Sequence, residues 1–282
     1  MVRRLDRQEL EKIMKPFISP IWRQPPSDII ARIEVCIRDA RAHFENTGPG
    51  YVYFRADDVA VPGRQFYRMM ELFSNYRVPL SLAVVPAWLT SERWDSIQKT
   101  GLQFSSLWCW HQHGWRHFNH ETEGRNQEFG SGRLFSEIKD DLLKGRQRLE
   151  DIMGDHFYPV FTPPWNRCNI ETLELLKEYS YLAVSRNFGA LPPPPQKLPD
   201  LCVDVDLHTR KDKDPVSGWD RLFKALKKDI SSGRCGVVLH HQKMNSAAFD
   251  FLDILLKTLK QSKNIELVNF KDLVKFDGLI YT

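Results

Sequence analysis

Two carboxylates and two imidazoles in this chain have a spacing that suits metal chemistry. Asp57 and Asp58 are adjacent and follow an apolar run, and His113 and His117 are separated by three residues. One carboxylate with two imidazoles is a mixed oxygen and nitrogen ligand set for Zn²⁺ or another first-row divalent ion. Three protein ligands leave positions for water, as in catalytic sites. A cation would also relieve the repulsion between the neighbouring carboxylates, because one can ligate it while the other stays ionised as a base.

Apolar runs precede these residues and alternate with segments of helical periodicity. The strand-like runs are residues 51–56, 78–86, 105–113, 157–165, 181–185, 201–207 and 235–241. Helical spacing of apolar residues separates them, for example at 63–76 and 133–153. Apolar strands that alternate with helices predict a parallel sheet covered on both faces, hence an α/β layer fold or a barrel.

Polar side chains gather at the predicted strand ends. Parallel α/β folds place their sites at the carboxyl ends of the strands, so these residues are expected on one rim. They are Asp57 and Asp58 after the first strand, His111 and His113 on the third, Asp204 and Asp206 on the sixth, and His240 and His241 on the seventh.

Composition and charge exclude several classes of protein. Net charge is +4, from 40 basic and 36 acidic residues that are dispersed along the chain, so nucleic acid binding is not expected. The five cysteines are an odd number without CxxC spacing, which predicts free thiols in a reducing compartment. The N-terminal segment has no apolar core of a signal peptide, and no apolar run reaches the ~20 residues of a membrane span. A cytoplasmic location is therefore expected.

Five motifs in a fixed order connect the chain to a known family. RADDV, HGWRH, FTPPWN, VDVD and VVLHHQ, between residues 51 and 242, resemble the motifs of polysaccharide deacetylases (carbohydrate esterase family 4, the NodB-homology domain). The forms HGWxHxNH and PPWNR indicate a divergent bacterial branch. The resemblance implies a distorted (β/α)7-type barrel of parallel strands. It also implies one catalytic domain over 1–282, with 1–50 as an N-terminal helical lead.

The resemblance also implies a role for each motif residue. Asp57 would be the base, and Asp58, His113 and His117 the metal ligands. The backbone N–H of Trp165 would bind the oxyanion. The general acid would be His241, with His240 as the competing choice because the two alternate faces on a strand. The implied metal is Zn²⁺, with cobalt, nickel or iron as alternatives.

Two departures from the family pattern bear on these roles. The family usually has an arginine that holds the base at the start of the PPY-like motif, where this chain has Thr162. Arg55, two residues before Asp57 and on its side of the strand, is hypothesised to replace it. The VDVD motif keeps Asp204 and Asp206 but lacks the tryptophan that is usual in the family. Whether this motif keeps its tethering role is therefore left open.

Candidate substrate contacts come from the motifs and from the long polar loop 119–133. Such loops above a barrel rim are often lids or substrate walls, and the alternative is an exposed loop without contacts. Trp115 and Trp165 flank the motifs. Each indole ring could stack on a sugar or pack in the core, and both interpretations stay open. The candidates are His240, Trp115, Asn119, His120, Glu128, Arg133 and Asn166.

The function expected from the residues and the resemblance is metal-dependent removal of an N-acetyl group from a sugar. A cytoplasmic location favours a soluble glycan precursor, or a nucleotide- or lipid-linked sugar, over a cell-wall polymer. Two alternatives stay open: hydrolysis of a non-sugar amide C–N bond on the same fold, and a catalytically silent carbohydrate-binding homologue.

Overall fold

The computed structural model describes residues 17–44, 48–99 and 106–280. Within them, eight parallel strands form one sheet: β1 (Gly50–Val59), β2 (Leu80–Val84), β3 (Trp108–His113), β4 (Phe157–Thr162), β5 (Ala183–Val184), β6 (Val205–Asp206), β7 (Arg234–Leu239) and β8 (Ile265–Val268). The helices of the same residues are α1 (Ile29–Arg41), α2 (Arg64–Tyr76), α3 (Ser91–Gln98), α4 (Phe135–Met153), α5 (Ile170–Glu178), α6 (Pro215–Ser231), α7 (Ser246–Gln261) and α8 (Phe270–Ile280).

The strand order is β5–β4–β3–β2–β1–β7–β6, and β1, the longest strand, pairs with three others, β2, β7 and β8. The first half of β1 pairs with β8 and its second half with β2, so these two strands share one edge of β1. The other edge pairs with β7 over residues 51–56. The sheet curls into a half-barrel with helices around it, and the predicted distorted (β/α)7-type barrel is confirmed.

Residues 199–207 connect the two ends of this sheet. On one side, the backbone N–H of Leu201 donates to Val184 of β5 at 2.8 Å. On the other side, the N–H groups of Asp204 and Leu207 donate to Gly236 and Val238 of β7 at 3.1 and 3.2 Å. The predicted strand 201–207 therefore has ladder bonds along its length, although only Val205–Asp206 has regular strand geometry.

Strand β1 separates the core into two faces with a period of two. Val52, Phe54 and Ala56 belong to the large cluster of buried apolar residues that also includes residues of α1, α2, α6 and α7. Tyr53 belongs to a second cluster, which inward-facing residues of β3, β4, β5 and β7 complete. Arg55 and Asp57 follow Tyr53 on the inner side, so β1 carries its charged residues towards the barrel interior.

Helix caps fix the loops that follow β4 and β7. The side chain of Asn169 accepts a hydrogen bond from Thr172 N at 2.9 Å at the start of α5. Asn245 does the same with Ala248 N at 3.0 Å at the start of α7. Such caps satisfy otherwise free N–H groups of the first helical turn. The loops that carry Trp165 and His240 are thereby held between a strand end and a capped helix.

The N-terminal helical lead that the sequence predicts for residues 1–50 is described in part. Residues 1–16 lie outside the described residues, and the rest contains a short 3₁₀ turn at Pro20–Arg23 and helix α1. Trp22 of this turn is buried and donates its indole N–H to the Leu207 carbonyl at 2.8 Å. A single catalytic domain over the whole chain stays a prediction. No helix among the described residues has the length and apolarity to cross a membrane.

Candidate metal centre and active site

A cavity of about 700 Å³ opens at the carboxyl ends of the strands. Its wall contains the motif residues of β1, of the segment after β3, of the turn after β4 and of the end of β7. Asp57, Asp58, His113, His117 and Trp165 are all on this wall. The structure therefore brings together most of the residues that the sequence placed at the strand ends, whereas His111 and His241 are buried away from this wall.

Asp58, His113 and His117 form a group that could hold a metal ion. Asp58 Oδ1 lies 3.4 Å from Nε2 of His113 and 3.3 Å from Nε2 of His117. The three candidate ligand atoms are within 4.8 Å of one another. Asp58 Oδ1 is buried and has no hydrogen bond of acceptable geometry among the described residues. A buried carboxylate oxygen facing two imidazoles fits the coordination of a divalent cation.

The backbone fixes the tautomer that a metal would need at His113. Its Nδ1 lies 3.0 Å from the Thr162 carbonyl oxygen, which can only accept a hydrogen bond. Nδ1 therefore carries a proton, and Nε2, which faces Asp58, is the nitrogen that a metal ion would bind. Metal-ligating histidines in general donate their other ring N–H in this way, which orients the ring.

A bulge in β1 explains how two adjacent carboxylates reach one cavity. Consecutive residues of a regular strand point to opposite faces, so Asp57 and Asp58 would separate. The pairing of β1 with β2 shifts register between Ala56 and Val59, and Asp58 has φ of 59°. This left-handed conformation is strained for a residue with a side chain. Gln242 holds it by donating from Nε2 to the Asp58 carbonyl at 2.7 Å.

Arg55 holds Asp57 through two parallel hydrogen bonds. Nε donates to Oδ1 and Nη2 to Oδ2, both at 2.8 Å, and the Arg55 side chain is fully buried. Its remaining donors reach Ser185 and the Asn166 amide oxygen. Burial favours the neutral form of Asp57, but the Arg55 guanidinium together with the nearby His113 and His240 lowers the pKa of this carboxyl below its ordinary value. Asp57 is therefore an ionised carboxylate beside the candidate metal ligands.

Thr162 takes part in a different set of contacts. Its hydroxyl lies 2.9 Å from Nε2 of His111, and its carbonyl accepts from His113 and from Gly114 N. Burial lowers the pKa of His111 to about 3, and the nearby Arg55 acts in the same direction, so this ring is neutral. Thr162 thus orients two imidazoles and makes no contact with Asp57. The contact with Asp57 is made by Arg55 of β1 instead.

The turn after β4 contributes to the cavity wall a residue whose backbone N–H has no acceptor among the described residues. Trp165 and Asn166 both have positive φ, 56° and 59°, within the 3₁₀ turn Pro164–Asn166. The N–H groups of Asn166 and Arg167 bond to Pro163 and Pro164, whereas no acceptor is found for the Trp165 N–H among the described residues. The Trp165 ring lies 4.5 Å from the His117 ring, between centroids. Trp165 therefore supports a candidate ligand with its ring and leaves its N–H available.

Of the two histidines at the end of β7, His240 lines the cavity and His241 does not. Val238 and His240 line the cavity, in keeping with strand alternation. His241 is absent from the wall, is 3% exposed, and packs its ring 5.6 Å from the Phe66 ring. Burial lowers the pKa of His241 to about 4, so it is neutral near pH 7. The family alignment of the sequence pointed to His241, and the side-chain direction points to its neighbour.

Comparisons with known proteins were made at the level of sequence and of structure. No protein-family model and no curated protein sequence matches the chain. A crystal structure from Mycobacterium smegmatis, described as a polysaccharide deacetylase, is 15% identical, covers 84% of this chain and 93% of its own, and has a TM-score of 0.64. A family 4 acetyl xylan esterase from Clostridium thermocellum, solved with a cobalt ion, is 13% identical over 81% and 92% of the chains with a TM-score of 0.52.

The chain has the polysaccharide deacetylase fold. An allantoinase, Puue, shares this fold at 13% identity, with a TM-score of 0.57 over 83% of this chain and 91% of its own. The likeness confirms the fold that the five motifs implied. Because identities of 13–15% establish only a fold, the chemistry of this chain rests on its own residues.

In this deacetylase fold, most of the loop residues expected to contact substrate do not line the cavity. Glu128 is fully buried and accepts hydrogen bonds from Trp115 N at 3.1 Å and Arg116 N at 2.6 Å. It therefore supports the segment that carries His117. Arg133 pairs with Asp141 at 2.7 Å, at the start of α4. Both side chains make contacts within the loop or with α4, and neither lines the cavity.

Three other expected substrate contacts are also away from the wall. The Asn119 side chain bonds only within its own loop, to Glu121 and Gln127. The His120 ring packs 5.0 Å from the Phe118 ring, and Trp115 packs against the apolar cluster beneath the loop. Of the seven candidates, the cavity wall of the deacetylase fold contains only His240 and Asn166.

Several residues that matter for the site were not identified from the sequence. Gln242 fixes the Asp58 backbone, and Ser185 accepts from Arg55 Nη1 through its hydroxyl and its carbonyl. His208 is fully buried and accepts from His240 N through Nδ1 at 3.1 Å. Gln242 is the last residue of the VVLHHQ motif, and its place there was a usable signal. The other two have no spacing pattern, because their contacts join segments that are far apart in the chain.

Proposed function

We propose that this protein is a metal-dependent hydrolase that removes an N-acetyl group from a sugar. The observation that carries the proposal is the convergence of two different carboxylates in one cavity. Asp58 faces two imidazoles whose Nε2 atoms are available, and Asp57, ionised by Arg55, lies beside it. A ligand set with a separate adjacent base is the arrangement that metal-assisted hydrolysis requires.

The metal would be held by Asp58, His113 and His117. A divalent cation bound there would supply Lewis-acid polarisation of the acyl oxygen and would lower the pKa of water. The mixed oxygen and nitrogen set suits Zn²⁺, and cobalt, nickel or iron are compatible with the same residues.

The roles of the other residues follow from their positions. Asp57 is the general base that removes a proton from the attacking water, and Arg55 keeps it ionised and oriented. The free N–H of Trp165 would donate to the oxyanion of the tetrahedral intermediate, a contribution of about 3–4 kcal/mol for one well-placed donor. His240 is the general acid for the departing amine, since it is the histidine of the β7 end that faces the cavity.

Two substitutions separate the base from the metal ligands. Asp57→Asn removes the base, so we expect metal content to stay near that of the wild type while acetate release falls about 10²–10⁴-fold. His113→Ala removes a ligand, so we expect metal content itself to fall. Metal analysis and acetate release from a panel of N-acetyl sugars, with small amides as a second panel, would measure both. A fully active Asp57→Asn protein would contradict the assignment, and turnover of the amides alone would move the substrate to a non-sugar amide.

A further inference from the structure

Four cationic side chains line the same cavity, in addition to the candidate catalytic residues. Arg125 comes from the loop between β3 and α4, and Arg167 directly follows the Trp165–Asn166 turn. Lys211 and Lys243 are also on the wall, after β6 and β7 respectively. The cavity wall therefore has a basic portion, formed by these four side chains, in addition to its carboxylates.

These four cations have no carboxylate partner among the described residues. Other arginines of the fold are paired with aspartates, such as Arg133 with Asp141 and Arg186 with Asp200, both at 2.7 Å. Arg167 makes only one hydrogen bond, from Nη1 to the Asn126 carbonyl at 3.3 Å. The four cations therefore border the cavity without a carboxylate contact among the described residues.

The carboxylates of the cavity wall are already engaged elsewhere. Asp57 binds Arg55, and Asp58 faces the two imidazoles. Asp204 accepts from Phe188 N at 2.8 Å, and Asp206 accepts from the N–H groups of His208 and Thr209. Among the described residues, none of these four carboxylates forms an ion pair with Arg125, Arg167, Lys211 or Lys243, so the four cations are open to direct contact with a ligand.

Arg125 and Arg167 are neighbours on the cavity wall, because Arg167 donates to the carbonyl of Asn126, the residue that follows Arg125. Burial lowers the pKa of Arg167, and the charge of Arg125 lowers it further. Two guanidinium groups brought together without a counter-charge are unfavourable, and an anion between them would reverse the sign of this interaction. Guanidinium groups present a planar fork of donors that matches phosphate and carboxylate oxygens.

We infer that Arg125 and Arg167 form an anion-binding subsite of the cavity, and that the substrate is an N-acetyl sugar that also carries a phosphate, a diphosphate or a carboxylate. The inference rests on the proposed function and narrows its substrate class. Lys211 and Lys243 add positive charge to the same wall, which would suit a group with more than one negative charge such as a diphosphate.

The test compares charged and neutral substrates on matched variants. Acetate release is measured with N-acetylglucosamine, its 1-phosphate, its nucleoside diphosphate derivative, and an N-acetylated disaccharide that contains a uronic acid. The variants are Arg125→Ala/Arg167→Ala and, as a control for net charge, Lys228→Ala/Lys257→Ala. The two control lysines are exposed on α6 and α7 and do not line the cavity.

We expect the metal-loaded wild type to prefer an anionic substrate by about 10- to 100-fold in kcat/KM, the range of one or two charge-assisted hydrogen bonds. The arginine double variant should lose at least tenfold of this ratio, and the lysine control should keep it. Which anion gives the highest ratio identifies a phosphate, a diphosphate or a carboxylate as the recognised group. Equal kcat/KM for neutral and anionic sugars, or an unchanged ratio in the arginine variant, would overturn the inference.

A binding measurement separates this inference from the proposed function. Glucose 1-phosphate, which has no acetyl group, is titrated by calorimetry into the wild type, Asp57→Asn and the arginine double variant. If no substrate is deacetylated but glucose 1-phosphate binds and the arginine variant weakens it at least tenfold, the subsite stands and the deacetylase proposal fails. If sugars are deacetylated and the phosphate binds all variants equally, the deacetylase proposal stands and the subsite fails.

Discussion

Replacing Arg55 with methionine should remove the ion-pair partner of the proposed base, Asp57, and leave the candidate metal ligands in place. Arg55 is fully buried, its partner Asp57 is 6% exposed, and two hydrogen bonds of 2.8 Å join them. The methionine retains much of the side-chain volume and removes the guanidinium. Asp57 would then be a buried carboxylate with its main counter-charge removed.

The magnitude follows from this burial. Breaking a buried ion pair from one side costs about 3–5 kcal/mol of unfolding free energy, because the remaining charge stays desolvated. An adjacent arginine lowers a carboxyl pKa by about 1–3 units. Its loss should therefore shift the acid limb of the pH profile of kcat/KM to higher pH by about 1–3 units. Because the wild-type pKa of Asp57 is lowered, its pairing stabilises the protein above the unfolded pKa of aspartate and less as pH falls below it. In the variant, burial without a counter-charge raises the pKa of the Asp57 carboxyl, so this group becomes neutral and its desolvation penalty is relieved as pH falls. The stability gap between wild type and variant should therefore be largest near pH 7 and shrink towards pH 4.

The assay is a pH profile of acetate release together with denaturant unfolding at pH 7 and pH 4.5 and metal analysis. Arg186→Met is the matched control, since Arg186 is also fully buried and paired with an aspartate, Asp200, at 2.7 Å. It should lose stability without a shift of the acid limb. If Arg55→Met keeps the wild-type acid limb and merely loses stability as the control does, Arg55 is structural and does not set the charge of the base.

Three further predictions address the acid, the loop and the thiols. His240→Ala should lower kcat about 10²–10⁴-fold with metal retained, whereas His241→Ala should mainly lower stability; the reverse pattern, read from kcat and unfolding, would restore His241 as the acid. Gly114→Ala should destabilise the protein by several kcal/mol, about the upper end for point mutations, because Gly114 has φ of +58° and an added Cβ would lie 2.6 Å from Pro164 Cγ and against Glu128; Gly124→Ala, also at positive φ but with open space, is the control, and equal unfolding midpoints would contradict the reasoning. Burial raises the pKa of Cys36 to about 11 and of Cys109, Cys168 and Cys202 to about 12, and that of Cys235 as well. A thiol reagent at pH 8 should therefore label the native protein slowly and all five thiols after unfolding in guanidinium, and rapid native labelling would show that the thiols are accessible.

The alternation of apolar strands and helices, and the spacing of the metal ligands, could be predicted from the sequence. Strand patterns depend on local residue type, and parallel strands place their carboxyl ends together whatever the loops do. Asp58, His113 and His117 could therefore be assigned to one rim without coordinates. The proposal that Arg55 serves Asp57 had the same origin, because residues two apart on a strand share a face.

Only the tertiary structure decided where side chains point once a strand ends. The direction of Asp58 depends on a single positive φ within a bulge, and Gln242, 184 residues later, holds it there. Strand β7 ends at Leu239, and the residues after it place the His240 side chain, and not that of His241, on the cavity wall. Glu128 looked like a substrate contact because it is polar in a polar loop, yet its carboxylate caps backbone N–H groups. Arg125 and Arg167 face one cavity because separate loops fold against each other, and no sequence spacing records a contact of that kind.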